Sequence, residues 1–173
     1  MRKQERYALT IEKLKEMFPN ADTELHYETP FQLLVAVILS AQCTDKRVNI
    51  VTPALFERYS SVKSMAESSQ EEIYSYIKSI SYPNSKSRNL KKMAERLHEV
   101  YHDEIPDDPQ ELQTLAGVGR KTAMVILAVL YKRAVMPVDT HVHRVSARIG
   151  LTLKAKNVLE TERQLLSNLT KTE

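Results

Sequence analysis

Apolar residues recur at helical spacing along most of the chain. Ala8, Ile11, Leu14 and Met17, with Lys and Glu between them, predict an amphipathic helix over residues 6–17, closed by Phe18-Pro19-Asn20. Thr29-Pro30 supplies a cap and a first-turn proline for a helix over 31–41 that is apolar on nearly every side, which predicts a central position. Thr44 or Asp45 can cap a third helix through Val48, Val51, Leu55 and Tyr59, with Pro53 expected to kink or break it. Ser69-Gln70-Glu71-Glu72 fits a capping box ahead of Ile73, Ile77 and Ile80. Residues 81–85 have the composition of a turn, and they lead to a stripe of Leu90, Met93, Ala94, Leu97 and Val100. The opposite face, with Lys86, Arg88, Lys91, Lys92 and Arg96, is expected to be solvated.

Further on, Asp108 caps a short helix over 110–115, and residues 121–131 are again apolar almost all round. Asp139 or Thr140 can cap a helix reaching Ile149, Gly150 stands where a left-handed residue ends a helix, and one more helix is expected within 156–169. Composition agrees with an all-α fold: only three glycines accompany long runs of Leu, Lys, Glu, Met and Ala. Charge adds an asymmetry. Residues 1–116 hold 15 Lys and Arg against 18 Asp and Glu, whereas 117–173 hold 10 against 4, a balance suited to a polyanion. The single cysteine, Cys43, excludes an internal disulfide and any zinc or iron–sulfur site built wholly from this chain's thiolates, and it is expected to be a buried small hydrophobe. No signal sequence opens the chain and no apolar run is long enough for a bilayer, so the expectation is a cytoplasmic monomer with no membrane association.

The richest chemistry lies in residues 112–139. Gly117-Val118-Gly119 separates two helical stretches, and glycines there allow positive φ and let backbone N–H groups converge on one anion at the start of the second helix. The competing reading is that two glycines only tighten a turn between packed helices. A Walker-type loop is excluded, since it needs a longer Gly-to-Gly-Lys spacing after a strand. Lys121 follows the turn directly, and Asp139 lies eighteen residues beyond it.

Three motifs in order, LSAQCTD (39–45), LAGVGRKTA (115–123) and VDTHVHRV (138–145), resemble endonuclease III of the helix-hairpin-helix DNA glycosylases. The resemblance runs from about residue 14 to 169. It implies a two-lobed fold: a six-helix barrel over 20–133 containing the helix-hairpin-helix (about 109–131), and a second lobe from 1–19 with 134–173, with a DNA groove between them. It also implies a bifunctional enzyme of base excision repair acting on double-stranded DNA with damaged bases or abasic sites. Such an enzyme flips an oxidised pyrimidine out of the duplex, cleaves the glycosidic bond and nicks the strand by β-elimination.

Lys121 matches the nucleophile that forms a Schiff base at C1′. A free lysine has a pKa of ~10.4, so it needs activation, for which a helix N-terminus and burial both work in the right direction. Asp139 matches the carboxylate that accepts a proton or stabilises the cationic sugar. Gln42 matches the residue that fills the space of the flipped nucleotide, and Gly117, Val118, Gly119, Arg120 and Thr122 match the hairpin that grips phosphate. Arg144 is a further phosphate contact, with Arg148 a phosphate or packing residue, and His141 and His143 are surface or packing residues, not metal ligands.

Two departures stand out. Relatives show a glycine, an apolar residue and an aromatic near 80–84, where this chain reads Ser81-Tyr82-Pro83, so Tyr82 takes the place of the second wedge. Relatives also continue into a four-cysteine loop holding a [4Fe–4S] cluster. This chain by itself is expected to bind no cofactor, with a cluster only in a longer form and exposed apolar surface on the 6–17 helix as the consequence. The competing functions are a non-catalytic helix-hairpin-helix DNA-binding module, an 8-oxoguanine glycosylase/lyase, and a helical scaffold without a nucleic-acid role.

Overall fold

The structure, a computed structural model, describes residues 2–169. Among them the chain forms α1 (Lys3–Met17), α2 (Pro30–Ser40), α3 (Asp45–Arg58), α4 (Val62–Ala66), α5 (Gln70–Ile77), α6 (Pro83–Tyr101), α7 (Pro109–Leu112), α8 (Arg120–Tyr131), α9 (Thr140–Arg148) and α10 (Val158–Leu166), and no strand. The all-α expectation holds. Residues 170–173, expected in the second lobe, lie outside the described residues. Two compact units divide the chain, one of Glu24–Tyr131 and one of Met1–Thr23 with Lys132–Glu173.

The Glu24–Tyr131 unit is built around α2. Thr29 caps it by accepting the Gln32 N–H, Pro30 stands in its first turn, and Phe31 and every residue from 33 to 39 are buried. Helices α3, α6 and α8 pack around it, and α6 packs in turn against α4 and α5. Each fully buried Leu, Ile or Val of this kind stabilises the fold by roughly 1.5–3 kcal/mol. Pro53 does not break the third helix, for α3 runs past it to Arg58. The short α4 was not foreseen, although Ser61 and Ser64 cap it reciprocally.

The basic face of α6 is not simply solvated. Lys86 is only 6% exposed, Lys91 donates to the carbonyls of Ala66 and Ser68 at the end of α4, and Arg96 donates to Thr114 Oγ1. Long side chains can lay their stems along an apolar helix surface and carry a donor to a neighbour's carbonyl. The helix also begins at Pro83, two residues inside the stretch expected as a turn, because proline is well suited to a first helical position.

The Ser69 capping box forms as expected: Ser69 Oγ accepts the Glu72 N–H, and Glu72 accepts the Ser69 N–H and the Ser68 hydroxyl. The Ser69 and Ser68 bonds, helped by Arg58, hold the Glu72 carboxyl below its ordinary value of 4.5. A depressed acid stabilises the fold above its unfolded pKa, and that contribution is lost as pH falls through the folded value. The melting temperature of the native chain is therefore expected to exceed that of Glu72→Gln at neutral pH, with the gap closing below pH 4.5; a gap independent of pH would contradict this.

In the other unit, Tyr7, Val138, Leu151 and Leu165 form a small core with Met136, Val142, Val158 and Leu169 against it. The Tyr7 hydroxyl donates to the Leu151 carbonyl (2.9 Å), and burial raises its pKa. Helix α9 ends as expected, with Gly150 at φ 74° and the Leu151 N–H returning to the Ser146 carbonyl (2.8 Å). A Cβ on Gly150 would stand 2.1 Å from Arg6 Nη1, which donates to the Gly150 carbonyl. On helix α1 Tyr7 is buried, while Leu14 (51%) and Met17 (67%) leave the exposed apolar surface expected of this helix. Ile11, Leu14, Val142, Val145 and Ile149 line an apolar groove of about 390 Å³ in this unit.

Candidate nucleic-acid interface

The hairpin opens on Asp108, whose Oδ1 accepts the N–H groups of Gln110 and Glu111 at 2.8 and 3.1 Å. Helix α7 closes at Leu112, earlier than expected, and successive turns carry the chain to Val118. Only one of the two glycines needs glycine's backbone. Gly117 sits at φ +83°, and a Cβ there would lie 3.2 Å from both Asn89 Cβ and Ile38 Cγ2. Gly119 has open space where its Cβ would be, and its carbonyl accepts the Ala123 N–H (2.9 Å), which places it at the N-cap of α8. As a glycine it brings no side chain of its own to the first-turn N–H groups of α8.

Consequently the two positions are expected to respond differently. Gly117→Ala forces a side chain into a left-handed conformation, at a cost of roughly 1–2 kcal/mol before the tight contacts are counted. Gly119→Ala meets nothing and is expected to melt within about 2 °C of the native chain. Equal losses in thermal melts of the two variants would refute this division.

The Val118 side chain is buried and its N–H donates to the Leu115 carbonyl (3.1 Å). Arg120 and Lys121 are exposed at the start of α8, and Thr122 is half-buried. Lys121 thus stands at the expected helix N-terminus and is exposed, not partly buried.

Gln42 occupies the turn between α2 and α3, exposed and at φ 54°. Tyr82 immediately precedes α6, 63% exposed at φ 56°, ψ 49°. A left-handed conformation costs a non-glycine residue roughly 1–2 kcal/mol, so both turns are held by their surroundings. Ser81 Oγ donates to the Gln42 carbonyl (2.6 Å), and Lys86 Nζ donates to the carbonyls of Leu39 (2.8 Å) and Ala41 (2.6 Å). Burial pushes the Lys86 ammonium below the usual lysine range, with Cys43 acting in the opposite direction. Lys86 was assigned to a solvated face, yet its spacing from Leu90, Met93 and Leu97 puts it on the apolar stripe, and that signal was legible. Cys43 itself is half-buried.

In the other unit Asp139 is half-buried and caps α9, its Oδ1 accepting the N–H groups of His141 and Val142, each at 2.9 Å. Arg144 is exposed and lies 3.1 Å from His141 Nδ1, while His143 Nδ1 is paired with Thr161 Oγ1 (2.6 Å). Among the described residues no three His, Cys, Asp or Glu side chains gather as metal ligands. A [4Fe–4S] cluster needs four ligands, normally cysteines, and with one cysteine in the sequence the residues present do not fit it.

An all-helical fold in which a glycine turn leads directly into a buried helix is that of a helix-hairpin-helix protein, and the family model for HhH-GPD superfamily base excision DNA repair proteins matches residues 35–171. Within that superfamily the chain belongs to the endonuclease III family. It is 43% identical to endonuclease III of Bacillus subtilis over 161 residues, covering 93% of this chain and 74% of that protein. With endonuclease III of Synechocystis it shares 47% identity over 154 residues, 88% of this chain and 70% of the relative. Among solved structures, a trapped endonuclease III–DNA covalent intermediate with an estranged adenine matches at a TM-score of 0.93 and 41% identity, over 99% of this chain and 80% of that one.

Proposed function

We propose that the chain excises oxidised pyrimidines from duplex DNA and cleaves the resulting abasic site through Lys121. Family membership supports the base-excision chemistry, and the observation that carries the assignment is an exposed lysine immediately after an open, glycine-capped hairpin. The hairpin backbone around Gly117 and Gly119, with Arg120 and Thr122, grips phosphate without reading sequence. Bound DNA covers Lys121 and removes water from it, which favours the neutral amine. Its Nζ attacks C1′ and the base departs with the electrons of the glycosidic bond. The sugar ring opens to a Schiff base, loss of a C2′ proton breaks the C3′–O bond, and the strand is nicked.

Asp139 stabilises positive charge on the sugar as the base leaves. Gln42 fills the vacated position and Tyr82 stacks beside it, which offsets the unstacking cost of a few kcal/mol. Arg144 gives a further phosphate contact. A covalent intermediate with DNA was trapped for the related endonuclease III, and that supports covalent chemistry here. Under this reading the protein works as a monomer on the nucleoid in the cytoplasm, and an iron–sulfur cluster requires cysteines from outside this sequence.

A panel of duplexes, each with one lesion, tests the substrate. Release of an oxidised pyrimidine with a nick is expected; preferential release of 8-oxoguanine would make the chain an 8-oxoguanine glycosylase/lyase, and binding without cleavage would leave only a DNA-binding module. Gly119→Ala, neutral for folding, is expected to weaken duplex binding about tenfold by keeping phosphate from the backbone. Unchanged affinity would remove the hairpin from the interface.

A further inference from the structure

Gln42 and Tyr82 lie on different turns, forty residues apart in sequence, yet one set of side chains joins them. Ser81, the neighbour of Tyr82, donates its hydroxyl to the Gln42 carbonyl (2.6 Å). From the first turn of α6, which Tyr82 immediately precedes, the Lys86 ammonium reaches across to donate to the carbonyls of Leu39 and Ala41, the latter immediately before Gln42. Arg47, in the first turn of α3, donates to the Ser79 carbonyl (3.4 Å). The two exposed left-handed residues therefore sit on one cross-braced platform.

Simple packing does not call for this arrangement. A buried ammonium carries a desolvation penalty, and a methionine or leucine on the same stripe would fill the space without it. Donation to two carbonyls does what an apolar side chain cannot, for it fixes where the end of α2 stands relative to the start of α6. A wedge must also resist a duplex that tends to restack, and a strained turn without its bonds relaxes away from the strand.

Resting on the proposed base-excision function, we propose that Lys86 and Ser81 are positioning residues that lock Gln42 and Tyr82 into a single rigid wedge. They act through the wedge, so their loss affects steps that require a nucleotide to leave a paired stack and spares chemistry on a sugar that needs no flipping.

Two single-turnover measurements on the 173-residue chain separate these steps: release of an oxidised pyrimidine from a fully paired duplex, and borohydride trapping on a single-stranded abasic-site oligonucleotide. Lys86→Met keeps the stem and removes the donor. Ser81→Ala removes one hydroxyl from a half-exposed residue and leaves the core untouched. The ratio of duplex release to single-strand trapping is expected to fall about tenfold to a hundredfold in Lys86→Met, and about threefold in Ser81→Ala. The fluorescence rise of 2-aminopurine beside the lesion, which reports unstacking, should shrink in step, and Lys86→Arg, which retains donors, should recover part of both. Proportional loss of both rates, or an unchanged ratio in both variants of an active chain, overturns the positioning role alone. A native chain that neither releases base nor forms an adduct overturns the proposed function and the positioning role together.

Discussion

Lys121→Ala is expected to lose the borohydride-trapped covalent adduct on abasic-site DNA completely and to slow strand nicking by at least about a thousandfold. The expectation follows from the chemistry of the step, since alanine offers no amine to form a Schiff base and no neighbour replaces the atom that bonds to C1′. Lys121 is exposed at the start of α8, so its removal takes no apolar contact from the core formed by Ala123, Met124, Ile126 and Leu127 on that helix. A melting temperature close to that of the native chain, with duplex binding retained, would tie the loss to the amine. An adduct that persists in Lys121→Ala would mean that another group is the nucleophile. Failure of the native chain to form any adduct would point to the non-catalytic DNA-binding module.

Asp139→Asn is expected to slow base release about a hundredfold to a thousandfold while leaving duplex affinity within about twofold. Asparagine is as good an N-cap as aspartate, so its side-chain oxygen can still accept the N–H groups of His141 and Val142 and preserve the start of α9. What disappears is the negative charge and the ability to take a proton. Trapping on a preformed abasic site, where the glycosidic bond is already gone, should suffer less than release of the base. Base release at the native rate would reduce Asp139 to a helix cap.

Much of the fold was legible. Unbroken apolar runs forecast the buried α2, and Thr29, Ser69, Asp108 and Asp139 announced helix starts through capping chemistry that depends only on the next three residues. Gly150 likewise marked the end of α9. Local patterns were less informative where the decision was not local. On α1 the exposed Leu14 and Met17 agree with the apolar surface expected there, but the burial of Tyr7 against Leu151 and Leu165 was not in the pattern, because periodicity defines a face without saying what covers it. Pro53 had the chemistry of a helix breaker and is accommodated inside α3.

The hairpin and the wedge divide in the same way. Sequence by itself determined the helical class, the order of the motifs, the glycine turn before Lys121 and a cap at Asp139 or Thr140, all of which rest on residues adjacent in the chain. Only tertiary structure decided that Gly117 needs glycine while Gly119 leaves its space open, because the neighbours that crowd Gly117, Asn89 and Ile38, come from α6 and α2. It also decided that Lys86, whose spacing already puts it on the apolar stripe of α6, braces the end of α2. The reason is that a lysine's role depends on what lies opposite it, and the carbonyls at the end of α2 meet Lys86 only after the two helices have packed.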